Sequence, residues 1–470
     1  MTASDAVTDV LRGLHARFGG LRDGRPASYI PQLASADPDD FGLALVSMDG
    51  HCYSAGAAGT PFTLQSVSKP FVYALALSSL GLDEVGRWVG AEPSGEAFNA
   101  ISLEPGTGRP ANAMVNAGAI VTTALIAATG RASAFRRVLT CLSRFAGRPL
   151  DVDEEVYASE AATGDRNRAL AYLLRSAGAP PAAGPPPAAG VPPVDPVAAV
   201  DTYFRQCAVR VTAVDLAVMA ATLAHGGVNP LTGEAVVSAE VAARVLAVMA
   251  TCGMYDASGE WLLRVGLPAK SGVSGGLIAA GPARFGLAAY SPPLDAAGTS
   301  VRGRAALGAL SEELGLHLMR NPALPGSTVT LATTADVLPS APPGGPERAL
   351  HARVGIVVAQ GALDFTAAER VLHALDRSGP ERTGAVVLDL REVTGVDALA
   401  LATLHAGLAR LAGDGRRAAV VDPDDRLGPP DLVRERTGRD LPRFGSRAEA
   451  VERCAQALAG PDGPDRAARS

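Results

Sequence analysis

Lysine occurs at only two positions in this chain, Lys69 and Lys270, while 40 of its 42 basic side chains are arginine. Arginine keeps its proton throughout the physiological range, whereas a buried lysine can lose one and serve as a base. A surface that accepts arginine freely gives no reason to keep two lysines, so each is a candidate for proton chemistry. Lys69 stands in Gln65-Ser66-Val67-Ser68-Lys69-Pro70, and Lys270 opens Lys270-Ser271-Gly272. On a helix, Ser66 and Lys69 project to the same side. A lysine buried there among apolar neighbours accepts the serine proton and leaves Ser66 as a nucleophile toward an acyl carbon. The unpaired N–H groups of a helix's first turn would face the developing oxyanion. Pro70 disfavours the helical conformation at Lys69, which predicts an irregular first turn and a regular helix from about Pro70.

The elements around these residues follow from hydrophobic spacing. Val7, Val10, Leu11 and Leu14 recur at helical intervals near the start of the chain. Two short apolar runs, 41–48 and 51–54, flank Asp49-Gly50, which predicts a hairpin. A helix follows Lys69 to about Leu80. Ala-rich amphipathic segments then predict helices at 116–129, 133–146, 153–177, 196–206, 212–224 and 238–251. The Pro-rich run 179–193 interrupts them as an exposed polyproline-like loop. Strand-like runs return at Trp261–Val265, Gly276–Ala280 and Phe285–Tyr290, before a last helix at about 300–319. Strands, then helices, then strands describe an α/β sheet closed by sequence-distant segments and capped by a helical subdomain. The expected division is a catalytic domain at 1–320, a Pro-rich linker at 321–351, a small α/β domain at 352–459 and a disordered tail at 460–470.

Composition excludes several function classes. A net charge of −6 and a pI near 5.7 give no reason to expect a nucleic-acid partner or an anionic membrane surface. No uninterrupted apolar run reaches 18 residues, so no membrane span is expected. Residues 1–10 lack the basic and apolar regions of a signal peptide, which predicts a cytoplasmic protein. Five scattered cysteines without a CxxC pair fit reduced thiols. The seven histidines show no ligand spacing, so neither metal nor other cofactor is expected.

A Ser-x-x-Lys alone is met by chance in many chains. Joined to a Lys-Ser-Gly about 200 residues later, it resembles the signature of penicillin-recognising serine enzymes, with a serine β-lactamase-like sheet flanked by helices. A longer set of motifs resembles the serine-dependent glutaminase family more closely. It comprises Tyr29-Ile-Pro-Gln-Leu33, Phe62-Thr-Leu-Gln-Ser-Val-Ser-Lys69, Asn112-Ala-Met-Val-Asn-Ala-Gly-Ala119 and Asp201-Thr-Tyr-Phe-Arg-Gln-Cys207. Leu223-Ala-His-Gly-Gly-Val-Asn-Pro230, Cys252-Gly-Met-Tyr-Asp256 and Gly266-Leu-Pro-Ala-Lys-Ser-Gly-Val-Ser-Gly-Gly276 continue it, in order, to about residue 315.

That resemblance implies hydrolysis of L-glutamine to L-glutamate and ammonia by a homo-oligomer, dimer or tetramer. It makes Ser66 the nucleophile and Lys69 its base, with Tyr255 relaying a proton to the leaving ammonia. It places Tyr29, Gln65, Asn116, Glu160, Asn167, Tyr203, Tyr255 and the backbone of Val273 around the substrate. The N–H groups of Ser66 and Val273 would form an oxyanion hole. One departure is visible: the Pro-rich run at 179–193 is longer than the family's usual connection there.

In the last hundred residues, Gly361-Ala-Leu-Asp-Phe-Thr366 and Leu388-Asp-Leu-Arg-Glu-Val-Thr-Gly-Val-Asp397 resemble a STAS domain. That family's switch is a Ser or Thr just after the Asp, and Ala398 and Leu399 stand there instead, leaving the partner of this unit unknown. Two further readings stay open from sequence: a penicillin-recognising acyl enzyme, and a STAS-based signalling protein whose enzyme domain is silent.

Overall fold

The computed structural model describes residues 6–28, 30–96, 100–101, 103–104, 107–129, 133–177, 195–320, 328–337, 352–377, 384–429, 434–435 and 440–459. The chain divides into two compact units, Met1–Asn321 and Pro322–Ser470.

The first unit is built on a five-stranded antiparallel sheet. Its order is Cys52–Gly56, Gly42–Ser47, Phe285–Tyr290, Gly276–Gly281 and Ala269–Ser271. The Asp49-Gly50 hairpin forms, and Gly50 takes the positive φ of 81° that a tight turn needs. Gly42–Ser47 then pairs with Phe285–Tyr290, so segments about 240 residues apart become neighbours. The central strands are apolar on both faces. Leu43, Leu45, Leu277, Ala279, Leu287 and Ala289 meet the terminal helices Ala6–Phe18 and Val301–Glu313. Ala44, Val46, Ile278, Ala280 and Ala288 belong to the larger core on the other side, where the buried helix Ala213–Ala224 crosses the sheet. Residues alternating along one strand thus serve two cores. Thr212 starts that crossing helix with a capping box to Asp215, whose carboxylate also takes both arms of Arg148 at 2.7 and 2.6 Å.

Some expectations change. The segment 153–177 is two helices, Glu154–Thr163 and Asp165–Ala177, broken at Gly164, where a Cβ would lie 2.3 Å from the Phe204 ring. Trp261–Val265 is not a strand, since Ser258–Arg264 is helical. Its apolar run fooled the pattern because Trp261 is buried, donating to Leu267 O at 2.8 Å, while Leu263 is 77% exposed. The helix after residue 300 ends at Glu313. The Pro-rich run 179–193 lies outside the described residues, as does the tail 460–470.

The second unit holds a mixed sheet in the order Arg443–Phe444, Arg417–Val421, Ala385–Val396, Ala352–Leu363, Val329–Val337. The first four strands are parallel and the last is antiparallel. The segment expected as linker therefore contains a strand. Val329–Val337 is mostly exposed at the sheet edge, with Val329 and Val337 packed against the cores of the unit. Helices Phe365–Arg377 and Ala398–Gly413 cover one face, and Arg447–Ala459 the other.

Candidate active site

Ser66 is delivered by a short, constrained connection. Phe62–Thr63 pairs with Arg210–Val211, and Leu64 N–H donates to Val209 O at 2.8 Å. Gln65 then takes φ of 48°, a left-handed conformation that costs a side-chain-bearing residue about 1–2 kcal/mol. Gln65–Ser68 forms a single 3-10 turn, and the helix Lys69–Trp88 continues from it with Pro70 in its first turn. The irregular first turn is present, but Lys69 itself is helical (φ −58°, ψ −47°) despite the proline after it. The Lys270 strand passes close to this turn. A Cβ on Gly272 would come within 3.0 Å of Val67 Cγ2 and 3.1 Å of Leu64 O.

Lys69 has no exposed surface. Its Nζ lies 3.0 Å from Ser66 Oγ, 2.6 Å from Asn116 Oδ1 and 3.4 Å from Tyr255 Oη. Asn116 begins the helix Asn116–Ala128, and its Nδ2 donates to Asn167 Oδ1 at 3.1 Å. Ser66, Asn116 and Asn167 each keep some exposed surface, so the cluster opens on one side.

Tyr255 comes from a second strained turn, with φ of 57°. Two residues earlier the backbone runs against the Lys270 strand: a Cβ on Gly253 would lie 1.8 Å from Ala269 O, so no other residue fits there. Lys270 is also fully buried; its Nζ sits 4.0 Å from the Tyr255 ring centroid and donates to Ser271 O at 2.7 Å. Burial raises the pKa of the Tyr255 phenol, but the charges of Lys270 and Lys69 outweigh it and bring the group down to about 7. Burial lowers Lys270 to about 8, against the pull of Tyr255.

Glu160, on Glu154–Thr163, is 6% exposed and accepts from Gln65 Nε2 at 3.4 Å. Burial raises its carboxyl to about 7, which the Gln65 hydrogen bond and the Lys69 charge only partly offset. Val273 lies in the turn 272–275, closed by Gly275 N–H to Gly272 O at 3.0 Å. Its side chain packs on Ile30 and Leu33. Tyr29 lies outside the described residues, while Ile30 and Leu33 bring its motif to the Val273 turn. Tyr203 is buried in Pro196–Cys207, where its ring packs on Phe204.

Ser66, Lys69, Asn116, Asn167, Tyr255, Gln65 and Glu160 thus form one connected set. Lys270, singled out from sequence as a candidate for proton chemistry, belongs with them through its place beside the Tyr255 ring. Its rarity among the basic residues was the available signal. Ser271 Oγ, Ser274 Oγ and Gln32 Oε1, in the segments flanking Val273, are buried without a hydrogen-bond partner. A buried polar group in that state costs about 1–3 kcal/mol unless a ligand or water satisfies it. No group of three or more His, Cys, Asp or Glu suited to a metal occurs among the described residues. No helix among them is long and apolar enough to cross a membrane.

Comparison with known proteins identifies the family. The glutaminase family model matches residues 24–319. Glutaminase 2 of Bradyrhizobium diazoefficiens is 43% identical over 94% of this chain and 70% of its own length. The glutaminase of Corynebacterium glutamicum is 42% identical over 89% of this chain and 95% of its own. A crystal structure of Mglu superposes with a TM-score of 0.76 at 42% identity, covering 90% of this chain and 99% of that one. With the family's match spanning the whole of the site's elements, the chain belongs to the glutaminase family.

Proposed function

We infer that this glutaminase converts L-glutamine to L-glutamate and ammonia through an acyl-enzyme on Ser66. The observation that carries the reading is Lys69 Nζ, buried and 3.0 Å from Ser66 Oγ. Lys69 takes the serine proton as Oγ bonds to the amide carbon, and the carbonyl oxygen becomes an oxyanion. The N–H groups of Ser66 and Val273 receive that oxyanion. The Val273 N–H, outside any strand, donates to no backbone carbonyl among the described residues.

As the C–N bond breaks, the leaving nitrogen takes a proton from Tyr255, and Lys69 returns one to Tyr255. Water then hydrolyses the ester by the same steps in reverse order. Glu160 suits the substrate's α-ammonium, because an ammonium beside it supplies the charge that burial otherwise penalises. Asn116, Asn167, Gln65 and Tyr203, with Tyr29, complete the substrate contacts in this reading. Ammonia release from L-glutamine by the full chain, absent in Ser66→Ala, tests it. Equal release by both proteins would overturn it.

The second unit is read as a STAS-like module, supported by parallel strands alternating with helices. The assembly is read as a homo-oligomer in the cytoplasm. Light scattering on the full chain checks the first statement, with a monomer at micromolar concentration counting against it.

A further inference from the structure

We propose that the edge strand Val329–Val337 of the second unit is a self-pairing surface: two copies of this chain join along it, antiparallel and centred on Thr333, into one continuous sheet. The proposal rests on the homo-oligomer reading above and names one of its contacts. The two edges of this sheet are built differently. Arg443–Phe444, at one edge, is two residues long and carries an arginine. The strand at the other edge is nine residues long, and its sequence, Val-Thr-Leu-Ala-Thr-Thr-Ala-Asp-Val, has no lysine, arginine or proline. Thr330 to Thr333 are exposed, Leu331 by 38%. Short strands, charges and prolines are what keep a sheet edge from pairing with another chain. Here only Asp336 and a register shift between Val329 and Leu331 stand in the way.

The backbone sets the register. Gln360 N–H donates to Thr328 O at 2.9 Å, so Gln360 points its polar groups at the edge strand. By the alternation of a strand, Val358, Ile356, Val354 and Ala352 do the same. Their partners Leu331, Thr333, Ala335 and Val337 therefore bond inward. Ala332, Thr334 and Asp336, between them, turn their N–H and C=O groups outward. A two-fold partner must oppose outward residues with outward residues. Pairing about Thr333, the midpoint of the strand, meets that condition.

The strand's own sequence identifies the occupant. Centred on Thr333, Ala332 faces Thr334, Leu331 faces Ala335, and Thr333 faces its copy. Aliphatic and β-branched pairs of this kind stabilise an antiparallel sheet. Asp336, the strand's one charge, falls opposite Thr330, so no like charges meet. Arg353 lies 3.1 Å from Asp336 on the neighbouring strand and balances it. An edge complementary to itself closes a two-fold dimer and leaves no strand open on that side.

The test uses the full chain carrying Cys52→Ser, which removes the exposed thiol. Across the two-fold, the Thr333 Cα atoms would stand about 4.5 Å apart, within disulfide reach. Thr333→Cys should therefore link into dimers under a mild oxidant, while Asp336→Cys, which faces Thr330, should not. Thr333→Lys and Thr333→Glu, checked for fold by circular dichroism, should each halve the mass seen by light scattering. An equal mixture of the two should restore it, because opposite charges then meet at the centre of the pair. No cross-link at Thr333, or equal cross-linking at both positions, would overturn the proposal, as would an unchanged mass in both charged variants. An oligomer unmoved by these substitutions leaves the homo-oligomer reading standing and strikes this interface alone. A monomeric unmodified chain removes both.

Discussion

Asn116 Oδ1 lies 2.6 Å from the Nζ of Lys69, and its orientation is fixed because Asn116 Nδ2 donates to Asn167 at 3.1 Å. An amide oxygen there accepts a hydrogen bond from either form of the lysine without favouring the charged one as a carboxylate would. Asn116→Asp adds a full negative charge that binds an ammonium and not an amine. A fall in kcat of about 100-fold is expected, with the fold intact by circular dichroism. Asn167→Ala frees the Asn116 amide and removes a proposed substrate contact, so KM should rise while kcat falls less than in Asn116→Asp; the reverse ranking of kcat would refute this account of the pair.

Lys69→Arg should abolish turnover, with kcat down about 1000-fold or more. A guanidinium keeps its proton and cannot accept one from Ser66. The larger group also enters a site with no exposed surface, at a stability cost of about 1–3 kcal/mol. Steady-state ammonia release beside a near-UV circular dichroism spectrum separates the two effects. Substantial activity in a folded Lys69→Arg protein would remove lysine from the role of base.

Glu160 gives the site a pH signature. Burial raises its carboxyl from 4.5 to about 7, so the folded state favours the protonated form. The resulting stabilisation is complete below the unfolded value and is lost as pH rises through 7. The contribution is roughly 3 kcal/mol in all. The melting temperature of the ligand-free protein should therefore drop between pH 5 and 8, and Glu160→Gln should flatten that drop. Parallel curves for the two proteins would show that Glu160 carries no such linkage. If the carboxylate meets the substrate ammonium, saturating L-glutamate should also flatten the unmodified protein's curve.

Gln65 couples backbone strain to substrate binding. Its φ of 48° suits glycine, yet its side chain bridges toward Glu160. Gln65→Gly and Gln65→Ala both lose that hydrogen bond, but only the alanine keeps the strain. Glycine should be the more stable of the two by about 1 kcal/mol, read from urea unfolding, with KM for glutamine raised in both. A more stable alanine variant would mean that the turn relaxes when the side chain is removed.

Local features were legible in the sequence, and distant ones were not. The Asp49-Gly50 hairpin and the helices around Asn116 and Ala213 follow from turn chemistry and apolar spacing, which act over a few residues. Ser66 and Lys69 are three apart, so their meeting was readable too. The contact between Lys270 and Tyr255 was not, because it depends on a glycine abutting a strand carbonyl. Trp261–Val265 misled because one large buried indole weighs as much as several apolar neighbours in a short window. Val329–Val337 was missed because prolines at 322, 325 and within 339–346 surround it and hid a short, mostly exposed edge strand held by backbone bonds.

Tyr255 and Lys69 stand 186 positions apart along the chain yet meet at 3.4 Å. Closing so large a loop comes late, since its entropy is lost before the contact returns anything. Turnover is therefore a clock for the end of folding. During refolding from urea, helical signal should recover before ammonia release does, and the interval between them measures how long the chain waits for Gly42–Ser47 and Phe285–Tyr290 to join in one sheet.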